Sequence, residues 1–445
     1  MKILFVTSGA PSKSPFSTTE KRPPLGLGSL MAVTQKAGHQ VFFIDNYLRP
    51  NDFIQKGFLQ DKQIDYVGIY ANTICYRDSL RMFDKIQELR DSGIWTGKIM
   101  VGGPHTSVAL ETIPDFVDHI IQGEGEHTIL DILDGKETER VLKGRRVEDL
   151  DMLPFQPWHI FASLPYDNTC PWIEQGSIFT MNTSRGCPFG CSFCSVGSVW
   201  GKQYVAQSAE RILSEMEYLV CDFGAQGFYF REDHFTLSLK RTTNFCELLL
   251  SRGIKTPWAC ETRVDRMTED IVKLMAAAGC KAVYLGVESG SQRILDRLNK
   301  NVTVGQIESA IRWCKQARIN VYCSLITGVP GETYEDFLKT EKLIRRLRPH
   351  SHCFNIFVGI PTSPLYRECL EKGLYEYKDD LGLLYPPGFD IKAEYFYGQG
   401  SSTFVDYRFR RRTAFDYRLK ARQKRSRIRK TLGSRVPPNI MRFLK

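Results

Sequence analysis

The stretch "SIFTMNTSRGCPFGCSFCSV", residues 177–196, decides the fold. Its first eight residues read as a β-strand. Directly after the strand, Cys187, Cys191 and Cys194 fall within eight positions. Parallel βα folds put their chemistry in loops at this end of a strand. Gly186 and Gly190 let the chain turn tightly there. A four-iron cluster normally takes four thiolates, and three hold only three corners of a cubane. The fourth iron is then open to a small molecule and is the reactive one. The competing reading is zinc, which in structural sites takes four protein ligands. Cys170 and Cys221 lie seventeen and twenty-seven residues from the ends of the triplet, and no nearby His has suitable spacing.

Working outward, residues 177–361 alternate strands and helices. Strands are predicted at 177–184, 227–233, 256–262, 282–289, 320–328 and 351–360. Helical segments fall at 208–223, 240–252, 268–279, 291–317 (broken) and 333–348. Six βα units fall short of the eight that close a full barrel, so a partial parallel barrel is expected. Residues 1–135 form an earlier α/β series with strands at 2–8, 40–45, 66–71, 98–103 and 118–123. Five short apolar strands with helices between them predict a flavodoxin- or Rossmann-like doubly wound domain that binds ligands at its C-terminal strand ends. Residues 136–176 read as a linker, and 362–445 as a C-terminal region ending in a basic tail.

The chain has 445 residues, 42% of them hydrophobic and 25% charged, the balance of a folded globular protein. No apolar run approaches twenty residues, and the N-terminus reads as a first strand rather than a signal peptide. Thirteen cysteines, ten of them scattered singly, exclude a disulfide scaffold and point to a reducing cytoplasm. The formal charge of +10 is concentrated at residues 407–445, where fifteen Lys/Arg face one Asp and the net is +14, leaving −4 for the rest.

Cys187-x3-Cys191-x2-Cys194, with Phe193 before the last cysteine, resembles the cluster motif of the radical S-adenosylmethionine (SAM) superfamily. "GFYFREDHFTLS" (227–238), residues 261–300 and "SLITGVPGET" (324–333) resemble its second, third-to-fourth and fifth strand regions. The resemblance implies a 4Fe-4S cluster on the three cysteines, SAM on the open iron, and one-electron cleavage of SAM to a 5′-deoxyadenosyl radical. It also implies an electron donor such as flavodoxin or ferredoxin. Position by position, Phe193 borders adenine through its backbone. Glu232 or Asp233, where the family usually has Gly-Gly-Glu, faces the SAM ammonium. Arg263 pairs with the SAM carboxylate, Glu288 and Ser289 bond the ribose or methionine part, and Ile326 and Gly328 border adenine. The bland alternatives are a turn cap for Glu232, Asp233 or Glu288 and a structural ion pair for Arg263.

The N-terminal segments "RPPLGLGSLMAVTQKAGHQVFFID" (22–45), "VGGPHTSVALE" (101–111) and "QGEGEHTILDIL" (122–133) resemble the cobalamin (B12)-binding subgroup. Gly102, Gly103, Gly123 and Gly125 would admit a large flat ligand or its nucleotide tail, and His105 is a candidate contact. The loop at 7–21 holds no His for cobalt. The alternative is a domain that kept the fold and lost the corrin. The resemblance implies a cobalamin-dependent radical SAM enzyme that methylates an unactivated carbon of a small-molecule or lipid-type substrate. Alternatives are a non-methylating radical reaction (cyclisation, oxidation or carbon–carbon bond formation) and a membrane-surface binding protein without catalysis. Methylthio transfer to RNA ranks lower, because the N-terminal domain holds only Cys75 for a second cluster. The aromatic-interleaved basic tail suits an anionic membrane surface, hence peripheral association of a cytoplasmic protein, in preference to nucleic acid.

Overall fold

The structure is a computed structural model; it describes residues 1–7, 21–48, 57–73, 76–170, 173, 176–357, 359 and 362–372. The tail at 407–445, the aromatic stretch at 385–400 and most of the loop at 7–21 lie outside the described residues.

In the N-terminal domain, β1 (Lys2–Thr7) is apolar almost throughout and buried on both faces, so it sits centrally. With β2 (Gln40–Asp45), β3 (Tyr66–Tyr70), β4 (Lys98–Gly102), β5 (His119–Gln122) and β6 (Val141–Lys143) it makes a parallel sheet in the order β2-β1-β3-β4-β5-β6. The first five strands follow the flavodoxin order. The sixth comes from the segment expected to be linker: Ile120–Gln122 pair with Val141–Lys143. Helix Tyr76–Asp91 covers one face through Met82, Phe83 and Ile86, and helices Leu25–Lys36 and Glu126–Leu133 cover the other through Leu27, Met31, Ile129 and Ile132.

The second unit begins at β7 (Ile178–Met181). A short antiparallel pair follows, β8 (Ser184–Arg185) with β9 (Val205–Ala206), tying together the two ends of the cysteine loop. Then come β10 (Gly227–Phe230), β11 (Trp258–Arg263), β12 (Cys280–Glu288), β13 (Asn320–Thr327) and β14 (Ser351–Ile356). All pair in parallel with β7 in the order β14-β13-β12-β11-β10-β7, the expected six-stranded partial barrel. Its core is aromatic: Trp258 meets Phe230 and Phe245 edge-on with ring centroids 5.9 and 5.6 Å apart. Helices start on side-chain caps, including capping boxes at Thr303–Gln306 and Thr333–Asp336.

Strand alternation makes the barrel lumen polar. Val283, Leu285, Val321, Cys323 and Leu325 are buried under the helices, whereas Tyr284, Tyr322 and Ser324 on the opposite, inner face are half-exposed. Tyr284 stacks on Tyr322 at 4.6 Å, and Asn355 Nδ2 donates to Ser324 Oγ at 3.1 Å. Tyr229 donates to Glu261, whose carboxyl burial pushes up. Below them, Cys170 and Ile173 of the connector pack on Ile178, Tyr229, Ala259 and Ala282. No helix among the described residues is long and apolar enough to cross a membrane.

Candidate active site

The cysteine loop stands at the C-terminal mouth of the barrel. Cys191 is buried, Cys187 and Cys194 are half-buried, and all three are free. Two of the sulfurs receive an N–H, Cys191 from Arg263 Nη1 (3.3 Å) and Cys194 from the Val196 backbone (3.4 Å), and the Phe189 backbone lies close to the third, on Cys187. Such donors tune cluster thiolates. Burial pushes the Cys187 thiol up and the Cys194 thiol to about 11; coordination reverses this, because a metal-bound thiol is deprotonated outright. Among the described residues no three His, Cys, Asp or Glu side chains converge as a single metal ion requires. The sulfurs nevertheless lie within reach of one another's charge.

The loop is stitched down. The Ser192 N–H donates to Leu298 O at 2.9 Å and Ser192 Oγ to Arg297 O at 3.0 Å, while Asn299 Nδ2 donates to Gly190 O at 2.6 Å. Gly186 has φ +83, and a Cβ there would lie 2.2 Å from Gln203 O, so only glycine fits.

The acidic pair divides by orientation. Glu232 is buried and accepts from Thr183 N (2.6 Å) and Oγ1 (2.8 Å), with Arg241 Nη1 at 3.6 Å; it braces the wall. Asp233 is exposed by its side-chain surface but ringed by protein atoms, close to the Gly186 backbone, and desolvation by that ring raises its carboxyl to about 6. Arg263, expected to grip a carboxylate, is already engaged. It donates to Asp265 (2.9 Å), Lys300 O (2.6 Å) and Cys191, and lies over the Phe189 ring at 3.8 Å. Ser289 is fully buried and bonds Thr340 Oγ1 at 3.1 Å. Glu288 takes φ +62, a costly value for a non-glycine residue, and is held there by Lys300 Nζ at 2.8 Å. Phe193 and Ile326 pack on one apolar cluster with Leu298, Val329 and Phe357.

Gly328, at φ +81, donates its N–H to Glu332, as does Val329 at 3.3 Å. Burial raises the Glu332 carboxyl to about 7. The folded chain therefore holds a proton between about pH 4.5 and 7 that the unfolded chain has released. The resulting stability is complete below about pH 4.5, is lost as pH rises to about 7, and amounts to roughly 3 kcal/mol at most. Glu332→Gln, neutral throughout, should flatten the melting temperature between pH 5 and 8 and raise it at pH 8; an unchanged pH profile would refute the assignment.

A cleft of about 960 Å³, counting its open mouth, lies at the C-terminal ends of β3, β4 and β5. Gly102, Gly103, Gly123 and Gly125 line it, and so do Arg185, Val199 and Trp200 from the cysteine-loop region. Val199 is five positions after Cys194, so their Cα atoms are at most about 18 Å apart. His105 is not on this cleft. It is fully buried, stacks on Tyr76, bonds Thr73 and Thr112 through its two ring nitrogens, and is lowered by burial to about 3. The contact suggested for it is corrected: it supports the fold.

The sequence model of the Radical SAM superfamily matches residues 181–344, and that of the B12 binding domain matches residues 17–133. The chain carries a radical SAM domain. A B12 binding domain stands in front of it. It is 28% identical over 397 residues to an uncharacterized methyltransferase of Pyrococcus horikoshii, covering 84% of each chain. It is 27% identical over 375 residues to an anaerobic magnesium-protoporphyrin IX monomethyl ester cyclase of Cereibacter sphaeroides, covering 78% of this chain and 60% of that one. Its fold is similar to that of OxsB, a cobalamin-dependent SAM radical enzyme solved with aqua-cobalamin and SAM. The TM-score is 0.74 at 17% identity, over 100% of this chain and 70% of that one.

The two domains imply a 4Fe-4S cluster, SAM and cobalamin, and the residues of this chain fit them. Two of the three free thiols take an N–H donor, one of them from a buried guanidinium, and Val199 and Trp200 from the same loop region line the glycine-bearing cleft. Sequence reasoning missed the residues that join the sites. Arg185, next to Gly186, donates to Glu124 at 2.8 Å, Glu126 at 2.7 Å and Ser29 at 3.2 Å. Arg146 holds the other oxygen of Glu124 and donates to Arg185 O at 3.2 Å. Burial alone would raise the Glu126 carboxyl, but the Arg185 charge brings it below the usual range. The signal was present in "GEGE" and in the Arg before Gly-Cys.

Proposed function

We propose that this chain is a cobalamin-dependent radical SAM methyltransferase acting on an unactivated carbon of a small-molecule substrate. The carrying observation is that Val199 and Trp200, just beyond the third cysteine, help wall the B12 cleft. When bound, the cluster supplies the electron that cleaves SAM, and cobalamin carries the methyl group. Asp233 is the carboxylate open to the cationic end of SAM, with Glu232 bracing the wall behind it. Phe193, Ile326 and Gly328 form the adenine edge and keep water from it. Arg263 holds the cysteine loop and a sulfur. Tyr229, Glu261, Tyr284, Ser324 and Asn355 offer hydrogen bonds that orient substrate in the lumen. The electron donor is of the flavodoxin or ferredoxin type.

Anaerobically reconstituted protein given SAM, hydroxocobalamin and a strong reductant should form both S-adenosylhomocysteine and 5′-deoxyadenosine, read by mass spectrometry. Deoxyadenosine without S-adenosylhomocysteine would replace this reading with a non-methylating one. Similarity to a cyclase favours that alternative. A lipid-type substrate and peripheral membrane association rest on the composition of the tail alone. Deleting residues 407–445 should abolish binding to anionic liposomes; unchanged binding would remove that part.

A further inference from the structure

We infer that Arg185 is a positioning residue that couples the B12 cleft to the cysteine loop, so that filling either site tightens the other. This rests on the reading of the cleft as the cobalamin site. Arg185 belongs to both places: its guanidinium lines the cleft, and its backbone is two residues from Cys187. The guanidinium spans Glu124 and Glu126, which flank Gly125 on the cleft-wall turn, and lies 5.4 Å from the ring of Trp200 on the opposite wall. Glu124 is shared: one oxygen is taken by Arg146, and the other accepts from Arg185 and from Val147 N at 3.2 Å.

The packing around this network has no slack. A Cβ on Gly144 would lie 1.9 Å from Glu124 O, and one on Gly186 would lie 3.2 Å from Arg146 Nη2. Each partner loop turns on a left-handed glycine, Gly123 at φ +85 and Gly186 at φ +83. Each loop also has ties of its own, Ser192 to Arg297 O and Asn299 to Gly190 O on one side and Gly123 N to Ser107 Oγ on the other, and Arg185 is a tie they share. A ligand that orders one loop fixes Arg185, and the second ligand then meets a loop whose ordering cost is already met. The coupling is reciprocal by thermodynamic necessity. A buried ion pair that only stabilised the fold would weaken both sites together and leave their dependence on each other unchanged.

The experiment titrates the full chain with hydroxocobalamin under anoxic conditions, cluster-reconstituted and cluster-stripped, following the visible spectrum. Wild type should bind about fivefold tighter or more when the cluster is present. Arg185→Met should bring that ratio to about one, whatever happens to the absolute affinities. Circular dichroism verifies the fold of each sample. Should R185M not fold, Glu126→Gln, which keeps shape and acceptor oxygen but removes charge, should reduce the ratio. Equal wild-type affinities in the two states would overturn the coupling, and an undiminished ratio in the folded variants would overturn the role of Arg185. Absence of cobalamin binding in both states would overturn the cofactor reading of the cleft itself.

Discussion

Reconstituted Cys191→Ala should retain little of the wild-type iron, and its release of 5′-deoxyadenosine from SAM should fall by about a thousandfold or more. Cys191 is the most enclosed of the three cysteines, and its sulfur takes Arg263 Nη1 at 3.3 Å. Its loss removes one corner of the cubane and leaves a buried guanidinium without that acceptor, a cost that falls on the loop as well as on the metal. Cys187→Ala and Cys194→Ala should behave alike. Cys221→Ala, exposed on the helix Ala209–Phe223, is the control and should keep wild-type iron content. Iron and SAM cleavage in C191A at wild-type levels would mean that the triplet is not the cluster site.

Gly102→Phe should lower hydroxocobalamin affinity by about 100-fold or more, equivalent to roughly 2.7 kcal/mol. The backbone permits this substitution. Gly102 is not left-handed, and a Cβ there meets only Ile121 O at 3.8 Å and Ile121 Cβ at 3.9 Å. The ring would occupy the cleft between the ends of β4 and β5 without straining the sheet. Gly103 would make a poor test: it has φ +106, and its Cβ would fall 2.6 Å from Ala71 O. S-adenosylhomocysteine formation should vanish in G102F, whereas iron content and deoxyadenosine formation should persist. Cobalamin bound as tightly as in wild type would remove the cleft from consideration.

Much of this architecture is legible in the sequence because strand and helix periods are local. All six barrel strands and the helices between them fall where the pattern places them, and the break in 291–317 separates helices Gln292–Arg297 and Val304–Gln316. What is not legible depends on which way a side chain turns or on distant pairing. Glu232 and Asp233 are adjacent and chemically alike, yet the bend that follows β10 buries one and leaves the other exposed. Arg263 looks like a ligand-binding guanidinium until Asp265, Lys300 and Cys191 are seen to hold it. His105 follows a glycine turn, as contacts often do, but the fold inserts it under Tyr76. Strand β6 is short and polar at its end, and only pairing with β5 makes it a strand. The Arg185 clamp joins residues 61 and 59 positions apart, a separation no local pattern reports.

On the proposed reading, a substrate that enters at the cysteine-loop mouth and comes to rest above Cys170 and Ile173 lies below the nucleotide. Whatever lies deepest by that route must arrive first and depart last. Turnover would then follow a compulsory order of addition, and excess nucleotide would slow the reaction by trapping an unfilled chamber.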